Sequence, residues 1–163
     1  MALNMNNTSA KELLDNCNKE LTALSNIISA TKATDIKISF LTKYSLIKCS
    51  GTLEQCVKAI VYDKLTINAS EQTKNHIDKT INKSSMNANY FNIIGLLNNC
   101  DKAWGKSLKQ KVKKTIIESN LKSLYLHRND FAHGKNVTCS FEDIKNYFKS
   151  GCNLIELVDD ILS

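Results

Sequence analysis

Apolar residues recur along this chain at helical spacing. Leu14, Cys17, Leu21, Leu24 and Ile28 follow steps of three and four, one stripe of an amphipathic helix. Ser9 is its expected N-cap, with Glu12 three residues on as in a capping box. The stretch "SATKATD" breaks the pattern, and Thr34 or Asp35 is placed to cap a second, long helix over roughly 36–67. That helix carries two adjacent stripes. Phe40, Tyr44, Ile47, Gly51 and Val61 form one, and Leu46, Leu53, Val57 and Ile60 the other. So wide an arc predicts a central helix packed on several neighbours. Glu54 falls on the first stripe, either buried with a cationic partner or at an edge reaching water.

Residues 70–89 are polar, with a weak helical pattern through Ile77 and Ile81 and a closing Ser/Asn loop. "YFNIIGLLNNCDKAW" then reads as one helix with Ile93, Leu97, Cys100 and Trp104 on its face. The basic run "GKSLKQKVKK" fits a solvated helix start or a nucleic-acid contact. A penultimate helix carries Ile117, Leu121 and Leu124 and is expected to stop at Gly134. Ser140 with Asp143 marks the start of the last helix, faced by Ile144, Phe148, Cys152, Ile155, Val158 or Asp159, and Leu162. The chain has no proline and only 5 glycines, too little punctuation for a strand-and-turn fold. The expectation is an all-α bundle of about five helices. It forms one domain over 9–163, after a loose polar tail over 1–8.

Charge and cysteines add limits. The net charge is +6 and the pI about 9.0, which suits a polyanionic partner or a solvated lysine surface. Cys17, Cys49, Cys56, Cys100, Cys139 and Cys152 show no C-x-x-C spacing, and no histidine stands at ligand spacing from a cysteine pair. They read as small buried residues or inert thiols, with no metal or cofactor expected. The start "MALNMNNTSAKELLD" has no secretory character and no apolar run reaches membrane-spanning length, so a cytoplasmic location is expected.

The sharpest feature is "LYLHRNDFAHGKN". Arg128 is the only arginine in the chain, five residues before His133. It continues the Ile117–Leu121–Leu124 stripe, with Phe131 beyond it. An arginine on an apolar helix face is a structural ion-pair partner or a site residue, and Glu54 is the obvious internal candidate for the pair. A guanidinium fork grips a phosphate bidentately where lysine does not. His133, at the expected helix end, lies in the partial negative charge of the last carbonyls, a place suited to a cationic imidazole and acid work. His127, one residue before the arginine, points elsewhere and reads as a surface or structural histidine, and His76 has no partner pattern.

Arg128, the polar Asn129 and His133 resemble the Arg-x4–6-His motif of the HEPN superfamily (higher eukaryotes and prokaryotes nucleotide-binding domains). "LIKCSGTLEQCV" resembles the Glu-bearing helix of the RiboL-PSP branch, and "SFEDIKNYF" fits the helix after the motif loop. The resemblance spans about 40–162. It implies an all-α, metal-independent endoribonuclease, a toxin or phage-defence effector whose homodimer brings two motifs into one cleft. It implies Arg128, Asn129 and His133 as catalytic residues, Glu54 and Asp130 as supporting ones, and Lys109, Lys122 and Lys135 as RNA-binding lysines. An antitoxin or other operon partner is implied too. Toxins modified by a nucleotidyltransferase antitoxin often carry tyrosine two residues after the histidine. Lys135 stands there, which argues against that control, although Tyr125 is nearby. The alternative is a non-catalytic module that binds RNA, a nucleotide or a partner protein.

Overall fold

The computed structural model describes residues 3–163. Seven α-helices follow in order: α1 (Thr8–Ser29), α2 (Ile36–Thr66), α3 (Glu71–Ile77), α4 (Tyr90–Cys100), α5 (Lys102–Val112), α6 (Ile117–Ala132) and α7 (Phe141–Leu162). A π-helical turn over Asp78–Asn82 extends α3, and no strand occurs among the described residues. The all-α expectation holds, with more helices than the five expected. The polar middle region folds into α3 and the π turn. The segment read as one helix through Trp104 breaks at Asp101, whose extended backbone (φ −153°) ends α4 while its carboxylate caps α5 by accepting from the Ala103 N–H at 2.7 Å.

Helices α2 and α7 form the centre. α2 packs on α1, α6, α7 and the π turn, and α7 also receives α5 and α6. Leu46, Leu53, Leu121, Leu124, Ile144, Phe148, Leu154 and Ile155 are fully buried between them. Gly151 sets the α2–α7 spacing: a Cβ there would lie 2.4 Å from Leu53 Cδ1. The α1 stripe is buried as expected from Leu14 to Leu24. Asp35 caps α2 and Ser140 caps α7 in a full capping box with Asp143. The same Ser140 hydrogen bonds, backbone first, hold the Asp143 carboxyl below the usual range.

Three expectations are corrected. Residues 3–7 are not loose: Leu3 is buried, the Asn4 N–H donates to Glu156 at 2.9 Å, and the Asn6 and Asn7 N–H groups donate to buried Asp159. Met1 and Ala2 lie outside the described residues. The cap of α1 is Asn7, whose side chain accepts from the Ala10 N–H, so the helix starts earlier than Ser9 would place it. The first α2 stripe is not covered along its N-terminal half: Phe40, Tyr44 and Ile47 are 59%, 46% and 40% exposed, while Val61 is buried. Helices α1 and α6 flank that stripe without meeting over it. Lys48 joins Glu20 of α1 at 2.7 Å, and Lys43 sits 6.0 Å from the Phe131 ring of α6.

Candidate active site

Helix α6 is built for a sharp end. Its last turns close with a Schellman motif: Gly134 N–H donates to Phe131 O at 3.0 Å and Lys135 N–H to Asp130 O at 2.8 Å. Gly134 takes the left-handed conformation this requires, with φ +72°. His133 is therefore the C-cap, with its side chain exposed beyond the helix. Gly134→Val should destabilise the protein by about 1–2 kcal/mol, the cost of a left-handed non-glycine residue. Urea unfolding measures it, and an unchanged midpoint would contradict this account of the helix end.

Arg128 continues the buried Leu121–Leu124 stripe to the point where the core runs out, and is half-buried there. It enters none of the ion pairs among the described residues. Its expected partner Glu54 is indeed partly buried, but it bonds Lys58 at 2.7 Å and accepts the Met86 N–H at 3.1 Å. Glu54 is therefore spoken for by the packing of α2 on the loop before α4, and a structural Arg128–Glu54 pair is ruled out. Lys58 is the residue that sequence reasoning missed. It stands four positions after Glu54, a spacing that signals a helical ion pair, yet its burial at 3% exposure depends on the π turn folding over it.

Asn129 is half-buried on α6, and its carbonyl accepts the His133 N–H at 3.0 Å. The four-residue step puts both on one side of the helix. Arg128 and His133 are about 140° apart around a regular helix, so one chain does not converge them on a single atom. Asp130 holds Lys135 at 3.0 Å across the Schellman turn, which makes that pair a surface clasp of the helix end. Lys122 is exposed two turns before Asn129 on the same face. Lys109 is not brought to the motif. The neighbouring Lys111 bonds Asp160, roughly 30 Å along α7 from the end where the motif loop joins it. Lys43 is a further cation beside the site, lying between the Phe40 and Phe131 rings. Sequence places it on α2 but gives no sign that α2 passes the end of α6. His127, expected as a surface or structural histidine, is half-buried and stacked on Tyr147 of α7 at 6.2 Å between ring centroids.

Cys17, Cys49, Cys56 and Cys152 are buried in the core. Burial pushes Cys56 and Cys152 up to about 12, so both stay protonated at neutral pH. Among the described residues, no three His, Cys, Asp or Glu side chains gather as a metal would require. No helix there is long and apolar enough to cross a membrane.

An all-helical bundle whose penultimate helix ends in Arg-Asn-x3-His is the architecture of a HEPN module. The family model described as RiboL-PSP-HEPN matches residues 12–163, and the chain belongs to that family. No curated protein and no solved structure matches it.

Proposed function

We propose that the protein is a metal-independent endoribonuclease, working as a homodimer in the cytoplasm as a toxin or phage-defence effector. The observation that carries the reading is the state of Arg128: the chain's only guanidinium ends a buried stripe, has no carboxylate partner among the described residues, and sits about one turn from an exposed histidine. The reaction needs a base, an acid and a cation. One His133 takes the proton from a ribose 2′-OH, and the 2′-oxygen attacks the adjacent phosphorus. The bond from phosphorus to the 5′-oxygen breaks, and the second His133 gives that oxygen its proton. Arg128 holds the non-bridging oxygens as charge builds on them, and the Asn129 amide orients the phosphate or the ring. The products are a 2′,3′-cyclic phosphate and a 5′-hydroxyl. Incubation with single-stranded RNA in excess chelator, followed by analysis of the cut ends, tests this. Cleavage that disappears with the chelator, or leaves 3′-hydroxyl ends, would rule the mechanism out.

The dimer is part of the same reading, because Arg128 and His133 diverge on one chain. The uncovered α2 stripe supports it. Phe40, Tyr44 and Ile47 run exposed beside Lys43 and Phe131, three residues from Arg128 and two from His133. A two-fold axis through that stripe would bring two motif ends together. The double variant Phe40→Glu/Ile47→Glu is expected to sediment as a monomer and to lose roughly 10²-fold or more in cleavage, since the acid and base then part. A monomeric variant with full activity would remove the dimer from the mechanism.

The divergence of Arg128 and His133 also favours a second reading, a non-catalytic module that binds RNA, a nucleotide or a partner protein. In that case RNA binds and stays intact.

A further inference from the structure

Beside the motif, α4 and α6 enclose an apolar cleft of about 220 Å³. From α6 it takes Glu118, Lys122, Tyr125 and Leu126, and from the start of α4 it takes Tyr90 and Phe91. Phe91 is 65% exposed and Leu126 47%, while Tyr90 is buried and braces Phe91 edge-on, with ring centroids 5.6 Å apart. On α6, Lys122, Tyr125 and Leu126 share one face with Asn129, the middle residue of the motif. Tyr125 is one turn from Asn129, about 6 Å along the axis.

We propose that this cleft is a nucleobase-stacking subsite for single-stranded RNA, holding a base next to the scissile phosphate between Phe91 and Leu126. The proposal rests on the RNA reading of the motif and deepens it. Stacking on an exposed aromatic ring is how single-stranded nucleic acid is held with little sequence demand. Lys122 lines the cleft one turn further from the motif than Leu126 and is exposed, so its ammonium can pair with a phosphate of the bound strand. Glu118 stands one turn further from the motif, where a carboxylate can accept from the amino group of a cytosine or similar base edge. The +6 net charge favours a polyanion over an acid-seeking peptide. The cleft is also too small for a chain partner. Two exposed apolar side chains fall far below the roughly 800 Å² per partner that a stable protein interface buries.

The test uses a 2′-O-methyl single-stranded oligonucleotide carrying one 2-aminopurine, which lacks the attacking hydroxyl and reports stacking by loss of fluorescence. The wild-type protein should quench it. Phe91→Ala should abolish the quench and weaken binding roughly 5- to 150-fold, the worth of one base–aromatic stack. Phe91→Trp should preserve both. Quench and affinity unchanged in both Phe91→Ala and Leu126→Ala would overturn the proposal. So would a Phe91→Ala protein that changes only its oligomeric state, since the face would then belong to a second copy. The cleavage reading fails separately: if the probe is bound and quenched while unmodified RNA stays uncut, the subsite stands and the nuclease does not.

Discussion

The His133→Ala protein is expected to cut RNA about 10²- to 10⁴-fold more slowly than wild type, the usual worth of a positioned acid or base. Arg128→Ala should lose about 10²- to 10³-fold, as when one donor to a developing oxyanion is removed. Arg128→Lys should recover only part of that loss, because an ammonium keeps the charge but not the two-pronged geometry. Folding should be spared in all three. His133 is exposed, and Arg128 has no ion pair among the described residues to break. Such positions change stability by only about 0.5 kcal/mol. Thermal melts of the variants are therefore the control that separates the readings. A purified Arg128→Ala protein that unfolds, instead of folding and failing to cut, would return Arg128 to a structural role. If wild type and both alanine variants leave RNA equally intact, the enzyme reading is lost. Growth of cells expressing each protein offers a parallel readout, with toxicity expected for wild type only.

Lys58→Ala should cause the largest loss of stability, about 3–5 kcal/mol, because it leaves a carboxylate in the interior without its cation. Lys58 is 3% exposed. Its ammonium bonds Glu54 at 2.7 Å, Ser84 O at 2.6 Å and Asn82 O at 3.4 Å. Asn82 ends the π turn and Ser84 follows it, so one buried cation ties α2 to the loop that leads into α4. Glu54 keeps some contact with water, at 19% side-chain exposure, which places the cost nearer the lower bound. Glu54→Gln in the Lys58→Ala background should restore part of the loss, since the uncompensated charge is gone. Urea denaturation of the four proteins of that cycle gives the coupling directly. A single-variant loss below about 1 kcal/mol would show that the pair is solvated and not part of the core.

The features that were legible in the sequence are local ones. The α1 stripe, the Asp35 cap, the Ser140–Asp143 capping box and the helix end at Gly134 each depend on residues within four positions of one another. The break at Asp101 was written locally too, as a good capping residue inside an apolar pattern, but the continuing stripe through Cys100 and Trp104 masked it. The N-terminus was misread for a different reason. "MALNMNN" mixes apolar residues with asparagines at no helical spacing, and nothing within it announces that Asp159, more than 150 residues away, accepts the Asn6 and Asn7 N–H groups. The motif stood out because it combines a unique residue with a helix end, and the charge of the chain added little. Lys109 shows the limit of charge: it lies in the most basic run of the sequence, yet its helix packs at the far end of α7 from the motif.

By itself, then, the sequence determined α1, α2, α6 and α7 with most of their ends, the family pattern and the placing of Arg128 and His133 within one short stretch. These follow from backbone hydrogen bonds and side-chain spacing that act over one or two turns. Only the tertiary structure decided which partner each charge finds and which apolar face stays open. Glu54 goes to Lys58 because the π turn folds over α2, and Arg128 pairs with no carboxylate among the described residues. The Phe40–Ile47 stripe stays uncovered because α1 and α6 pack to either side of it. Both outcomes depend on distances between segments far apart in the chain, which no local pattern encodes.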